Sequence, residues 1–287
     1  VARRTSIRDL PYAHNAKPGL GVELLSLADL FVRETRGELP VPLATPTRPE
    51  FHSIYLGKRG RGTIIVDFTP VPLTAGQATI VVRGRVEQFV PASGLDAWML
   101  LFSPEFVTDS LRLLAPTWEQ PTIELDAADR RDLGALFDQL AAEQARPLDA
   151  VQPALLASLL RTILLRLERR VATGMTSTPE LDRFFTILER DCQTTRSVEH
   201  YARRAGISPR RLGELLATHT GRSTKQVIDE RVVLEQKRLL AHTEITVKEL
   251  AARTGFDEPS NLVKFFRHHT GITPLAFRRN LPSGRRS

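Results

Sequence analysis

The final third of the chain is written twice. From Ser197, S-V-E-H-Y-A-R-R-A-G-I-S leads on to L-G-E-L-L-A-T-H-T-G at Gly221, and from Thr246, T-V-K-E-L-A-A-R-T-G-F-D leads on to L-V-K-F-F-R-H-H-T-G at Gly271. Gly206 aligns with Gly255 and Leu212 with Leu262, so the offset moves from 49 to 50 across a one-residue insertion near Glu258 and Pro259. Self-similarity of this length marks a duplicated supersecondary unit. Each copy reads as a short amphipathic helix, a glycine turn and a second helix that stops at a glycine, which is the pattern of a helix-turn-helix.

The residues inside each copy fix which side faces the core. In the second copy Thr246 and Glu249 form a T-x-x-E capping box that opens the first helix, with Val247, Leu250 and Ala251 facing inward. Gly255 supplies the positive φ that lets two helices meet steeply. The next helix starts near Asp257-Glu258-Pro259, turns Leu262, Phe265 and Phe266 inward and stops at Gly271. In the first copy Ser208-Pro209 opens the second helix and Leu212, Leu215 and Leu216 face inward. Gly213 inside that helix costs up to about 1 kcal/mol against alanine, and marks a close approach of the backbone to DNA or to a neighbouring helix.

With the apolar residues turned in, the outward residues near the start of each second helix are Arg210, Arg211 and Glu214 in one copy and Ser260, Asn261 and Lys264 in the other. That is the part of a helix-turn-helix that meets base edges. Arginine grips guanine O6 and N7 with two hydrogen bonds, asparagine does the same with adenine, and Glu214 either accepts from a cytosine amine or steers an arginine. Arg222, Lys225, Arg267, His268, Arg278 and Arg279 suit phosphates as a group. Between the copies, Thr224 to Leu240 makes a rod of roughly 25 Å. Such a rod holds the two units near the ~34 Å that separates successive major grooves on one DNA face.

Charge agrees with this placement. Residues 180–287 hold 20 Lys+Arg against 13 Asp+Glu, whereas residues 1–179 hold 20 of each, so the formal excess of +7 lies wholly in the repeat-bearing segment. A basic domain beside a neutral one is the footprint of polyanion binding. The 287 residues suffice for two ordinary cores. The lone Cys192 has no internal partner and reads as a small buried hydrophobe in a reducing compartment. No apolar run is long enough for a membrane span, and V-A-R-R-T-S-I-R at the start carries no apolar stretch of signal-peptide kind. The expected location is the cytoplasm, with no membrane partner.

The first half reads differently. Residues 22–32, V-E-L-L-S-L-A-D-L-F-V, suit a strand or a helix, and a proline-rich arm follows at 40–49. From Phe51 to Ser103 short β-like runs (F-H-S-I-Y-L, T-I-I-V-D-F, A-T-I-V-V-R, V-E-Q-F-V, A-W-M-L-L-F) alternate with turns at Gly57–Gly62, Pro70–Gly76 and Pro91–Gly94. This spacing predicts a small antiparallel barrel or sandwich. Ser103-Pro104 then opens a helical stretch. A second helix spans 126–145 with Leu133, Leu136, Phe137 and Leu140 on one face. A third spans about 148–171 and carries too many apolar residues for one seam. Its Leu156, Leu160, Ile163, Leu164 and Leu167 are the candidates for a dimer seam, although burial within the same domain fits the periodicity equally well.

The stretch from V-I-D-E-R-V-V-L-E-Q-K-R-L-L through G-F, F-F-R-H-H-T-G and T-P-L-A-F-R resembles the signature region of the AraC/XylS family of bacterial transcription regulators, over about residues 180–280. The resemblance implies a seven-helix DNA-binding domain, with two helix-turn-helix units joined by a long helix and activation through contact with RNA polymerase. One departure touches base preference: many members carry an aromatic pair after the serine, where this chain has Asn261-Leu262. H-S-I-Y-L-G-K-R-G-R-G-T-I, P-L-T-A-G-Q-A-T-I-V-V-R-G-R-V-E-Q-F and L-L-F-S-P-E-F resemble the cupin-like sensor domain of that family. That likeness implies a small effector inside the barrel and a homodimer formed through the helices that follow.

The expected layout is therefore an α+β chain. Residues 1–172 form a cupin-like antiparallel β-barrel with C-terminal helices that senses an effector and dimerises, 173–179 a linker, and 180–287 an all-α double helix-turn-helix domain that binds double-stranded DNA. Two rivals stand beside this reading. A cupin enzyme needs histidine and carboxylate ligands for a metal. His52 is the only histidine between residues 50 and 105, while the adjacent His268 and His269 point to different helix faces. With no G-x-S-x-G, Walker loop or CxxC either, neither catalytic residues nor a cofactor or metal are expected. The other rival is a regulator without a small-molecule ligand, governed by protein partners or abundance, for which Tyr55, Trp98, Arg83 and Arg85 are ordinary wall residues rather than a pocket lining.

Overall fold

The computed structural model describes residues 7–12, 17, 20–39, 41–90, 94–107, 111–114, 122–174 and 178–281. These fall into two compact units, one from residues 8–114 and 122–174, the other from Ile7 and residues 178–281.

In the first unit β1 (Arg8–Leu10), β3 (Thr47–Pro49), β8 (Glu87–Val90), β5 (Arg61–Val66) and β6 (Thr69–Thr74) form one sheet in the order β1-β3-β8-β5-β6. A second sheet runs β10-β7-β4-β9-β2, from β10 (Thr122–Glu124), β7 (Gln77–Val81), β4 (His52–Arg59), β9 (Asp96–Phe102) and β2 (Val22–Ser26). The pairings are antiparallel except β1 with β3. The strand period of two divides the side chains of β4 and β9 between two cores. Tyr55, Met99 and Leu101 turn toward Ile64, Val71 and Phe89 of the other sheet. Ile54, Leu56, Leu100 and Phe102 turn the other way, onto α2 (Ala127–Ala145) and α3 (Gln152–Gly174). The unit is thus two antiparallel-rich sheets with C-terminal helices, where the sequence predicts a small antiparallel barrel or sandwich followed by helices.

Several local expectations change. Residues 22–32 are both a strand and a helix: β2 ends at Ser26, whose hydroxyl accepts from the Asp29 N–H and opens α1 (Leu27–Thr35). The proline-bearing stretch after Pro70, read as a turn, is strand β6. Pro70 and Pro72 point outward on a strand paired only with β5, where a missing N–H costs no ladder bond. Ser103-Pro104 opens only a single 3-10 turn, Pro104–Phe106, without a side-chain cap. The helix expected from 148 begins at Gln152, because the Asp149 carboxylate accepts from the N–H groups of Val151 and Gln152, both at 2.8 Å. Residues 91–93 of the expected turn, Pro40 of the arm and residues 175–177 of the expected linker lie outside the described residues. The helix α3 reaches Gly174 and Thr178 caps α4, so the ends of that linker belong to helices.

The dimer-seam residues also need correction. Leu156, Leu160, Ile163, Leu164 and Leu167 are 0–1% exposed and pack in the core formed by sheet and helices of their own chain. They cannot meet a second copy without unfolding. The apolar residues that α3 and its approach do expose are Leu148, Val151, Leu155 and Leu165.

The second unit holds seven helices among the described residues: α4 (Pro179–Asp191), α5 (Val198–Ala205), α6 (Pro209–Thr220), α7 (Thr224–His242), α8 (Val247–Arg253), α9 (Pro259–Thr270) and α10 (Pro274–Asn280). One core of buried side chains joins them, and Cys192 sits in it as a small hydrophobe whose thiol burial pushes up to about 11.

Candidate nucleic-acid interface

Each repeat folds as two short helices across a glycine. Gly206 and Gly255 take φ +78° and +69°. At Gly255 space matters as well as conformation, since a Cβ there would stand 3.0 Å from the Thr194 carbonyl oxygen. Ser208 accepts from the Arg211 N–H and fixes the first turn of α6. Thr246 and Glu249 make both halves of the expected capping box on α8. A second box, Ser223 with Gln226, opens α7 and was legible as S-x-x-Q. The first turn of α9 has no side-chain cap.

The long helix α7 is the frame on which both units are mounted. Its Val227, Ile228, Val232 and Leu240 are buried in the shared core. Arg231, 4% exposed, lays its guanidinium on the Glu189 carboxylate of α4 at 2.7 and 2.6 Å and on Glu235 at 3.0 Å. Burial works against this charge, but the Glu189 hydrogen bonds and the neighbouring carboxylates outweigh it and raise its pKa. The Gln193 amide donates to Glu235 at 2.8 Å, and Gln236 donates to Thr254 at the end of α8 at 3.2 Å. Buried pairs of this kind fix geometry more than they add stability. Here they tie α4, α7 and α8 into one body.

All six base-reading candidates are exposed: Arg210, Arg211 and Glu214 on α6, and Ser260, Asn261 and Lys264 on α9. Arg210 Nε donates to Glu214 Oε1 at 3.0 Å, and Arg211 stands 3.9 Å from Oε2, so Glu214 orients both arginines in the free protein. A methyl group placed on Gly213 beside them would meet only Thr224 Oγ1, at 3.8 Å, an ordinary contact. A neighbouring helix therefore does not demand that glycine.

The phosphate candidates divide. Arg267, His268 and Arg279 are exposed. Arg222 is half-buried and Lys225 exposed, and they pair with Glu230 and Asp229 respectively. Arg278 is a correction: its guanidinium donates to the carbonyls of Leu240, near the end of α7, and Ile245, in the connection before α8, and so acts as a clamp within the fold. Lys225, Asn261 and His268 come together around a groove of about 740 Å3 between α7 and α9. Sequence reading missed Arg196 in the same groove. Its guanidinium lies 3.6 Å from the Phe256 ring centre and 5.3 Å from that of Phe265, an arrangement across 60 residues that no local pattern announces. Phe265 is accordingly only partly buried, while Leu262 and Phe266 are fully so.

In the first unit His52 is a core histidine. It is 7% exposed, stacks on Phe102 at 5.2 Å, and accepts from the Arg83 N–H through Nδ1. Burial, helped by Arg83, lowers its pKa to about 4, so the ring is neutral. Among the described residues no three His, Cys, Asp or Glu side chains gather as metal ligands, and no helix is long and apolar enough to cross a membrane. Trp98 stacks under Lys58, Arg85 pairs with Asp67 at 3.0 Å, and Arg83 is exposed. None of these three borders the cavity between the sheets. Tyr55 reaches that cavity's wall through a 3.1 Å hydrogen bond to Glu87.

In sequence the chain is similar to known transcription regulators. Residues 201–280 match a family described as a helix-turn-helix domain. The transcriptional activator RhaR of Cronobacter sakazakii is 24% identical over 263 residues, which cover 82% of this chain and 93% of that protein. The RhaR of an Enterobacter strain is 23% identical over 249 residues, covering 80% and 85%. Among solved structures, the DNA-binding domain of AdpA in complex with a target DNA is 32% identical, covers 36% of this chain and 92% of that one, and superposes with a TM-score of 0.33.

Proposed function

The chain belongs to the AraC/XylS family of transcription regulators, and we propose that it is a sequence-specific activator whose DNA binding answers to a small molecule held in the first unit. The family consists of DNA-binding regulators rather than enzymes. One observation carries the reading: two outward helix faces, Arg210-Arg211-Glu214 on α6 and Ser260-Asn261-Lys264 on α9, are mounted on one frame, α7. At about 1.5 Å per residue its 19 residues span roughly 28 Å. That suits one subunit reading two successive major grooves. Arg222, Lys225, Arg267, His268 and Arg279 supply phosphate contacts around them.

Residues 1–172 act in this proposal as the sensing and dimerising domain, and residues 180–287 as the DNA-binding domain. The dimer seam is the exposed face of α3 and its approach, around Val151, Leu155 and Leu165. The relatives named RhaR are activators, which supports contact with RNA polymerase as the output. Sequencing the genomic DNA bound to the chain in cells tests the function. Recovered fragments share one sequence element upstream of regulated genes if the reading is right, and share none if it is wrong.

A further inference from the structure

The interior of the first unit carries information about what it senses. A cavity of about 200 Å3 lies between the two sheets, walled by aromatic and aliphatic side chains that include Phe51, Phe89, Met99 and Leu101. Two carboxyls line it. Strand alternation turns Glu23 of β2 inward beside Leu25, and Glu87 of β8 inward beside Phe89. They are 2% and 4% exposed. Among the described residues lining the cavity there is no lysine, arginine or histidine.

Such a wall is costly for acids. Burial pushes the Glu87 carboxyl up to about 7, against the hydrogen bond from Tyr55 that favours its charged form. The hydroxyl of Tyr12, which lines the same cavity, is buried without a hydrogen-bond partner, and burial and the nearby Glu23 charge hold its pKa up. Tyr12 also meets Phe51 edge-on at 5.8 Å, so aromatic rings stand beside the acceptors.

We propose that this cavity is an ammonium site: it takes a small, mostly apolar molecule with one protonated amine, which donates to Glu87 and the Tyr12 hydroxyl. An ammonium brings three donors and no acceptor, and aromatic faces attract it further. At pH 7.5 an anion meets repulsion from the Glu87 carboxylate, and a polyol meets too few polar partners in this wall. An apolar cavity of roughly 150 Å3 admits benzene, so this one admits a ring with a short amine arm.

The inference rests on the first unit being the sensor, and its test separates the two. The full chain is titrated at pH 7.5 with phenethylamine, 2-phenylethanol and phenylacetate, followed by calorimetry and by thermal unfolding. Phenethylamine alone raises the midpoint, and Glu87→Gln weakens its binding about tenfold or more, as expected for loss of a charge-assisted bond. Equal binding of the alcohol, preference for the acid, no binding of any of the three at millimolar concentration, or full-strength amine binding by Glu87→Gln overturns the proposal. The wild-type comparison of the three probes stands even if that variant fails to fold. Affinity for a duplex selected by the full chain from a randomised pool is measured in the same samples: an amine that binds without changing it leaves the site in place and removes the regulatory reading.

Discussion

Arg210 and Glu214 stand one turn apart on the exposed face of α6, joined by a 3.0 Å hydrogen bond from Nε to Oε1. The guanidinium is 90% exposed, so in the free protein the carboxylate aims it rather than buries it. Arg210→Ala should cost about 1–3 kcal/mol of binding to the preferred duplex and relax choice at one base pair. Glu214→Ala should change base preference at the same pair while leaving non-specific affinity equal or higher, since a negative charge near phosphates is removed. Binding to a half-site library checks both. Uniform loss across all sequences rejects the base-reading role of Arg210.

Arg278 and its neighbour Arg279 should behave oppositely. Arg278 donates to the carbonyls of Leu240 and Ile245, so Arg278→Ala should lower stability by about 1–3 kcal/mol. Arg279 is exposed, and Arg279→Ala should leave the thermal midpoint alone and reduce the salt slope of DNA binding by about one. Melting curves with salt-dependent affinities settle the pair. A stable Arg278→Ala variant with a reduced slope would return that residue to the phosphate group.

Two leucines of α3 give a further contrast. Leu155 is 45% exposed, and Leu155→Glu should shift the mass toward monomer in sedimentation with the fold kept. Leu160 is 1% exposed, and Leu160→Ala should instead destabilise the unit by about 2–5 kcal/mol. A Leu155→Glu chain that remains a dimer removes this face as the seam.

Acid stability should reveal two separate buried groups, His52 and Glu87. The neutral His52, with its pKa lowered to about 4, contributes stability that is full above about pH 6.5 and is lost as pH falls toward 4. Glu87, with its pKa raised to about 7, takes up a proton more readily when folded, so its contribution is full below about pH 4.5 and declines as pH rises toward 7. Each amounts to about 3 kcal/mol, and between pH 4.5 and 6.5 they oppose. The wild type should therefore be nearly flat there, while Glu87→Gln loses stability steadily as the pH falls. Denaturant unfolding across that window checks it, and parallel curves contradict it.

What the sequence made legible was local. Capping at Thr246 and Glu249, the turns at Gly206 and Gly255, and the inward Leu212 and Leu262 are set within a few residues, and the repeat states them twice. The first unit was legible as an antiparallel barrel or sandwich but less so strand by strand. Pro70 and Pro72 read as a turn because nothing local says that β6 is an edge. The α3 leucines were ambiguous because a helix packed on a sheet and a helix paired with a partner show the same periodicity. The clamp at Arg278, the stack of Arg196 on Phe256 and the inward carboxyls of Glu23 and Glu87 depend on chain segments tens of residues apart. Only the folded arrangement brings those partners together.

Selection of preferred duplexes from a randomised pool by the full chain decides whether α6 and α9 each read a groove. Two blocks of preferred bases should emerge with centres about 10 base pairs apart, one losing its preference in Arg210→Ala and the other in Asn261→Ala. Recovery of sequences no different from the starting pool, at modest ionic strength, would contradict it.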